Sequence, residues 1–263
     1  MKYSVLMSVY KKDDPDFLKL ALESIYDNQT RKPDEVIIVF DGELTEELHK
    51  VLDEFVIGKD DMVTFYPLDK NYGLGEALRR GTALCTGDYI FRMDSDDISL
   101  PTRFEKQIDY LEKNPEVDVL GTALAEFEFS TDEQMRHRVC PEKHNDIVKM
   151  SKRRNPMNHM TVCIKKSALI KSGGYKTMLL MEDYYLWLRM IDRGCRLENL
   201  GEILVNVRIG NGFDGKRSSN VRISSSKQLQ KFMLKHKQIN IFTALLNLVC
   251  IIGFTYCPQS VGE

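Results

Sequence analysis

The sequence predicts an α/β fold, with a mostly parallel sheet flanked by helices and a helical tail at its end. Short apolar runs alternate with segments whose apolar residues recur at helical spacing. Polar residues directly follow several of those runs, as ligand-binding residues do in open α/β sheets. With 263 residues, the chain fits one α/β domain and an appendage.

The alternation is most regular at the start of the chain. The run at 3–9 predicts a strand, and 15–28 predicts a helix because its apolar residues lie three and four apart. EVIIVF at 35–40 lies between Pro33 and Asp41-Gly42, which is typical of a strand buried on both faces of a parallel sheet. The same reasoning predicts a helix over 43–56, a strand over 62–66, a helix over 74–84 and a strand over 88–93.

The alternation is less regular after residue 100. A helix is expected over 102–113, where Asn114-Pro115 ends it, and a strand over 117–124. Further along, the sequence predicts strands over 161–165 and 197–209 and a helix over 183–193.

Composition and charge favour a folded protein with no strong attraction to nucleic acid. Hydrophobic residues make up 43% and charged residues 29% of the chain, which suits a sizeable core. The 37 basic and 39 acidic residues give a net charge of -2, so no nucleic-acid partner is expected. The first residues run into the predicted strand without the apolar core of a signal peptide, which predicts a cytoplasmic location.

The end of the chain is basic and then apolar. Acidic residues are absent between Asp214 and Glu263, whereas lysines and arginines recur there, and 239–257 is apolar apart from a few Asn and Thr residues. That interruption makes a spanning helix marginal, and the pattern predicts a helical tail on an anionic membrane surface. The alternative is a helix that packs against the domain or in a dimer.

Three carboxylates follow the strand predicted over 88–93, in the cluster Asp94-Ser95-Asp96-Asp97. Like charges this close repel, and a hard divalent cation among them removes the cost. Mg²⁺ or Mn²⁺ there would neutralise charge on a departing nucleoside diphosphate. The alternative is a solvated acidic turn that caps the helix beginning near Pro101.

Two other segments lie at predicted strand ends. Asp41 follows EVIIVF, and Asn71-Tyr72-Gly73-Leu74-Gly75 opens a helix whose backbone amides could approach an anion. A plain turn would explain the glycines equally well. Arg79 and Arg80, about one helical turn further on, could contact a phosphate or simply be solvated.

Glu182 and Asp183 begin the helix predicted over 183–193, after the tight turn at Gly173-Gly174. Acidic residues are favoured at a helix N-terminus, so a structural role would explain them. The functional hypothesis is that one carboxylate deprotonates an acceptor hydroxyl, with 176–181 as a mobile acceptor loop. The role of His159 stays open, between a buried imidazole with a hydrogen-bond partner and a site residue.

Taken in order, SVYKKDD, EVIIVFDG, KNYGLGEALRRG, GDYIFRMDSDD, LPTRFEKQ, NHMTVCIKKS, GGY and EDYYLW resemble family 2 of the nucleotide-sugar glycosyltransferases. The resemblance covers about 3–210 and depends on the ordered spacing of the pieces. It implies a GT-A (Rossmann-like) fold, an inverting single displacement, and usually a UDP-sugar donor with Mg²⁺ or Mn²⁺.

The resemblance also implies roles for individual residues. Asp41 and Tyr10 correspond to contacts with the uracil, Asp94 to a residue near the ribose that assists the metal, and Asp96 to the direct metal ligand. Asp183 corresponds to the catalytic base, with Glu182 orienting the acceptor or the loop. The expected nucleotide-sugar site also includes Asn71, Gly73, Arg79 and Ser95.

The resemblance, together with the basic and apolar end of the chain, predicts the organisation of the chain and its partners. A catalytic domain is expected over 1–215, with a nucleotide-sugar half at about 1–100 and an acceptor half at about 101–215, followed by the tail at 216–263. The Gln-x-x-Arg-Trp motif of processive synthases is absent, which favours transfer of a single sugar. The expected acceptor is a glycan, on a polyprenyl-diphosphate lipid, for O-antigen, capsule or exopolysaccharide at the inner face of the cytoplasmic membrane.

Three other hypotheses fit single features of the sequence. A metal-dependent phosphohydrolase would use an Asp-x-Asp after an apolar strand, but that chemistry requires the motif after the first strand, and here it follows the fourth. A sugar-phosphate nucleotidyltransferase would need a Gly-rich N-terminal loop, and 5–14 contains no glycine. A non-catalytic carbohydrate-binding protein would not need Asp94, Asp96, Glu182 and Asp183 together.

Overall fold

The computed structural model describes residues 1–128, 130–132, 134–209 and 217–256. It confirms the regular alternation in the first part of the chain, and each element predicted there is present within about three residues at either end. In chain order these are β1 (Tyr3–Val9), α1 (Pro15–Ile25), β2 (Glu35–Phe40), α2 (Glu46–Val56), β3 (Val63–Pro67), α3 (Leu74–Leu84) and β4 (Tyr89–Met93).

The second part contains the predicted elements and several short ones that the sequence did not predict. The elements are β5 (Ile98–Ser99), α4 (Arg103–Lys113), β6 (Val119–Phe127), β7 (Gln134–Arg138), α5 (His144–Ser151), a 3-10 turn (His159–Thr161), β8 (Cys163–Lys165), α6 (Lys166–Lys171), α7 (Glu182–Asp192) and β9 (Leu197–Arg208). β5, β7, α5 and α6 had no prediction. They are two to eight residues long, and β7 (QMRHR) has no apolar alternation. Neither the helical nor the strand periodicity of apolar residues could therefore identify them.

The strands form one sheet in the order β3-β2-β1-β4-β8-β6-β9-β5, with β7 paired to β6. β3, β2, β1 and β4 are all parallel, as predicted. The rest of the sheet is mixed, because β8 is antiparallel to both β4 and β6, while β6 and β9 are parallel. The parallel part lies within the residues predicted to bind the nucleotide-sugar, and polar residues that follow its strands share one edge.

The sheet is buried on both faces. Val36 and Ile38 of β2 belong to the core cluster formed with α1, α2 and α4. Ile37 and Val39 belong to the opposite cluster, which α3 and α7 complete. Because side chains alternate along a strand, this arrangement explains why EVIIVF has no polar face, and why polar residues appear only beyond its end.

The tail is helical, as predicted, with α8 (Arg217–Lys235) and α9 (Ile241–Tyr256). α8 packs on α7, where Leu229 and Met233 join Leu188 in a small buried cluster. Among the described residues, no helix is long and apolar enough to cross a membrane. The predicted domain boundary at 215 and the last predicted tail residues, 257–263, lie outside the described residues.

Candidate active site

Three of the predicted site residues lie at the carboxyl edge of the parallel strands. β2, β1 and β4 are neighbours in the sheet and run in the same direction. Tyr10, Asp41 and Asp94 each follow the last residue of one of them. Three positions far apart in the chain therefore meet at one edge.

Asp41 organises the turn that opens α3. Its buried carboxylate accepts hydrogen bonds from the backbone amides of Tyr72, at 2.7 Å, and of Gly73, at 2.9 Å. Gly42 has a φ of 92°, and a Cβ there would lie 2.8 Å from the Asn71 nitrogen. A glycine is thus required for the close approach of the two segments. Asp41 and Asn71 line a pocket of about 370 Å³.

The acidic cluster has the geometry of a cation site. Asp94, Asp96 and Asp97 each offer a carboxylate oxygen, and these oxygens all lie within 4.8 Å of one another. Burial, together with the charges of Asp94 and Asp13, raises the pKa of Asp96 to about 6. Oδ2 of Asp97 is buried and finds no hydrogen-bond partner in the described part of the chain. The donor set therefore fits a hard divalent cation, which would relieve both costs.

Asp13 is a site residue that the sequence analysis missed. Its Oδ2 accepts hydrogen bonds from the Ser95 hydroxyl, at 2.7 Å, and from the Tyr10 amide, at 3.0 Å. Burial raises its pKa, and the charge of Asp94 adds to the increase. Asp13 belongs to the SVYKKDD segment of the resemblance, and its position beyond a strand end was the signal that could have identified it.

Arg92 is the second missed residue. It lies inside β4, is only 3% exposed, and pairs with the Asp94 carboxylate through both terminal guanidinium nitrogens. Its charge also lowers the pKa of Asp96 and of Asp183, against the larger effect of burial. A charged residue in the middle of the apolar run YIFRM was the available signal, because arginine is rarely buried without a partner.

Glu182 and Asp183 begin α7, as predicted. The carboxylate of Asp183 accepts hydrogen bonds from Asn155 Nδ2, at 2.6 Å, and from the Tyr184 amide, at 2.7 Å. Burial raises the pKa of both carboxyl groups. Asn155 was not predicted, because it follows α5, an element that the sequence did not reveal.

The glycine turn and the acidic pair are adjacent. A Cβ on Gly75 would lie 3.5 Å from the Glu182 Cβ and 3.5 Å from the Lys176 carbonyl oxygen. The start of α3 therefore packs directly against the segment that leads into α7. This contact joins the predicted nucleotide-sugar half to the predicted acceptor half.

Arg79 and His159, which the sequence analysis considered as site residues, bind partners outside the acidic cluster. Arg79 donates two 2.6 Å hydrogen bonds to Glu76 on the same helix. His159 is buried, with Nε2 3.0 Å from the Tyr175 hydroxyl and its ring next to that of Trp187. Burial holds its pKa well below the usual range, so the imidazole is neutral. His159 has the environment of a buried histidine with a hydrogen-bond partner.

The acidic cluster at the carboxyl edge of the parallel strands and the acidic pair at the start of α7 are both features that the sequence resemblance leads us to expect of a glycosyltransferase. Residues 4–178 match Glycosyl transferase family 2, and the chain belongs to that family. The GT-A fold expected from the resemblance is confirmed. Family membership favours neither the phosphohydrolase nor the nucleotidyltransferase.

Two curated relatives are similar over nearly their whole length. The amylovoran biosynthesis glycosyltransferase AmsE of Erwinia amylovora is 40% identical over 244 residues, which cover 93% of this chain and 90% of that protein. The UDP-Gal:alpha-D-GlcNAc-diphosphoundecaprenol beta-1,3-galactosyltransferase of Escherichia coli is 38% identical over 263 residues, with coverages of 98% and 93%. Among solved structures, S. aureus TarS 1-349 in complex with UDP-GlcNAc has a TM-score of 0.71 at 15% identity, over 97% of this chain and 73% of that one.

Proposed function

We propose that the protein is an inverting enzyme that transfers one hexose or N-acetylhexosamine from a UDP-sugar to a hydroxyl of a glycan acceptor. The acceptor is carried on a polyprenyl diphosphate, and the product contributes to a bacterial surface polysaccharide such as O-antigen, capsule or exopolysaccharide. The observation that carries the proposal is the contact of the glycine turn with Glu182, because it joins donor and acceptor residues in one site. The name of the E. coli relative supports the choice of donor and acceptor.

The donor would lie along the edge formed by β2, β1 and β4. Tyr10 and Asp41 would contact the uracil. Asn71 and Gly73 would contact the nucleotide from the turn that opens α3. Ser95 would contact the nucleotide-sugar beside the cation site. Asp41 already binds two amides, so its remaining lone pairs are the ones available to a base. Arg79 would have to release Glu76 before it could contact a phosphate.

Mn²⁺ or Mg²⁺ would be bound at the acidic cluster. Asp96 would be the direct ligand and Asp94, which Arg92 orients, its helper near the ribose. When bound, the cation would neutralise charge on the nucleoside diphosphate that departs. The unpartnered oxygen of Asp97 supports this assignment.

Asp183 would accept the proton of the acceptor hydroxyl as that oxygen attacks the anomeric carbon. A general base works best when its pKa lies near the working pH, and burial moves the pKa of Asp183 in that direction. The hydrogen bonds from Asn155 and from the Tyr184 amide fix its orientation. Glu182 would orient the acceptor.

The enzyme would lie on the inner face of the cytoplasmic membrane through α9. One side of this helix exposes large apolar residues, whereas Ala244 and Asn247 on the other side are buried against the protein. Such an exposed apolar stripe, close to a basic helix, suits an interfacial helix. The exposed residues are Ile241, Phe242, Leu245, Leu246 and Val249.

Vesicle sedimentation tests the membrane part of the proposal. The double variant Phe242→Ser/Val249→Ser should bind phosphatidylglycerol vesicles several-fold more weakly than the wild type, because about 0.8 kcal/mol is lost per buried methylene. Ile57→Ser/Val139→Ser removes equally exposed apolar residues elsewhere and should bind normally. Equal binding by both double variants would argue against α9 as the contact.

A panel of UDP-sugars with Mn²⁺, scored for slow UDP release, tests the reaction class. One UDP-sugar should be hydrolysed faster than the others, and chelation should stop the release. Turnover that survives chelation, or a preference for nucleotides without a sugar, would contradict the proposal.

A further inference from the structure

A second pocket of about 370 Å³ lies between the end of α6, the outer side of α7 and α8. Its lining is strongly basic, and its one acidic residue, Asp192, is already bound to His236 at 2.8 Å. The cations that line it are Lys171, Lys176, Arg189, Arg193 and Lys235, and His236 lies beside them.

Most of these cations have no internal partner. Lys171, Lys176, Arg193 and Lys235 form no ion pair and no side-chain hydrogen bond within the described residues. Arg79 and Arg80, by contrast, both bind Glu76 on their own helix. Unpaired like charges around one cavity repel each other, so an anion in the cavity would be stabilised.

Arg189 is an independent indication of a ligand. It is 5% exposed and donates one hydrogen bond, from Nη1 to the Ser172 carbonyl oxygen at 2.7 Å. Its Nε and Nη2 are buried and without a partner in the described chain, and its guanidinium lies over the Tyr185 ring at 4.7 Å. A buried charge with unused donors is costly, and a planar guanidinium matches a phosphate group well.

The pocket lies next to the acidic pair. Glu182, Tyr185 and Arg189 have the spacing i, i+3 and i+7, so they share one face of α7, and Arg189 is about 10 Å along the axis from Glu182. Lys176, on the opposite side, belongs to the segment that contacts Gly75 beside Glu182. The pocket therefore lies between α8 and the face of α7 that also carries Glu182, about two helical turns further along that helix.

We propose that this basic pocket binds the diphosphate of the lipid-linked acceptor, with Arg189 as the buried contact and Arg193 and Lys235 at its rim. The inference rests on the proposed function, because it names the part of the acceptor that the pocket recognises. The acceptor sugar would then extend towards Asp183, and the lipid towards α9. An anionic phospholipid headgroup has the same phosphate chemistry and is the competing source.

Calorimetric titration with farnesyl diphosphate tests the proposal, with UDP and Mn²⁺ present to saturate the donor site. The wild type should bind, and the Kd should rise about tenfold or more in Arg193→Gln/Lys235→Gln, as expected for lost hydrogen bonds to a charged group. Both positions are exposed, so folding should be preserved. Lys50→Gln/Lys149→Gln removes the same charge from exposed positions elsewhere and should bind like the wild type.

Three results would overturn the inference: no binding by the wild type, an unchanged Kd in Arg193→Gln/Lys235→Gln, or equal weakening in the control. Weaker sedimentation with phosphatidylglycerol vesicles, at an unchanged Kd for farnesyl diphosphate, would assign the pocket to a headgroup and also overturn it. UDP release by the same wild-type preparation separates the two proposals. If UDP release is normal but the Kd for farnesyl diphosphate is unchanged in Arg193→Gln/Lys235→Gln, only the pocket assignment fails.

Discussion

The proposed nucleotide-sugar half and the proposed acceptor half share one sheet but position their candidate carboxylates by different means. Asp41 and Asp94 follow parallel strands, and the strand pairing itself sets where they lie. Asp183 begins a helix, and a side chain from a separate loop, Asn155, orients it. A strand end places a residue through the backbone, whereas a helix start in an irregular region needs contacts from distant side chains.

The two halves also differ in charge. The proposed nucleotide-sugar half brings Asp13, Asp94, Asp96 and Asp97 close together, and the buried Arg92 pairs with Asp94. The outer side of α7 carries the opposite excess, in the basic pocket. The acidic region is therefore suited to bind a diphosphate through a cation, whereas the basic pocket is suited to bind an anion without one.

The largest effect is expected from Asp96→Ala, which removes the proposed direct ligand from the nucleotide-sugar half. Mn²⁺-dependent binding of the UDP-sugar should be lost, and transfer should fall by about 10³-fold, because the departing diphosphate loses its charge stabilisation. Calorimetric titration with and without Mn²⁺ measures the binding. Asp61→Ala, at an exposed position, is the control. Wild-type binding in Asp96→Ala would place the metal elsewhere.

Asp183→Asn should impair transfer while it leaves donor binding unchanged. The substitution removes the proposed base while it keeps the shape of the side chain, so transfer should fall by about 10² to 10⁴-fold. UDP-sugar binding should be unchanged, since the nucleotide-sugar half is intact. Initial rates and donor titrations are compared with those of Asp146→Asn, an exposed carboxylate on α5. Normal turnover in Asp183→Asn would mean that another residue accepts the proton.

Arg92 tests how strongly the acidic cluster depends on its buried counter-charge. Arg92→Gln leaves Asp94 without its buried partner, which should lower the free energy of unfolding by about 3 kcal/mol. The double variant Arg92→Gln/Asp94→Asn removes both charges and should recover part of that loss. Urea unfolding measures the three proteins, with Arg136→Gln as the control, since Arg136 is an exposed arginine in an ion pair with Glu126. No recovery in the double variant would show that Arg92 acts through other contacts.

The smallest effect concerns the stability of the metal-free protein. The pKa of Asp96 is raised from its ordinary 3.8 to about 6, so the folded protein binds this proton more tightly than the unfolded chain does. That contribution favours folding below about pH 4 and is lost as the pH rises through 6. Asp96→Asn should therefore be more stable than the wild type at pH 7, by about 1 kcal/mol after allowance for partial exposure.

Thermal unfolding at pH 4 and pH 7, in the presence of a chelator, measures this difference. Near pH 4 the two proteins should be equally stable, and added Mn²⁺ should stabilise only the wild type at pH 7. A wild type that is the more stable protein at pH 7 without metal would contradict the prediction.

The short and polar elements show which parts of the fold the sequence patterns could not predict. β7 and α5 were not predicted, yet α5 leads to Asn155, which contacts the proposed base. Periodicity identifies an element only when several apolar residues repeat, and these elements have too few. The mixed pairing around β8 was equally invisible, because strand direction depends on which strands meet and not on the residues of one strand alone.

The sequence by itself determined the α/β fold, the acidic cluster after β4 and the acidic start of α7. Each of these follows from local rules, namely side-chain periodicity, turn residues and helix-terminal preferences. Only the tertiary structure decided that Arg92 neutralises Asp94, that Asp13 joins Tyr10 to Ser95, and that unpaired cations surround one pocket. Asp13 and Ser95 are 82 residues apart in the chain, and no local pattern encodes which distant side chains will meet.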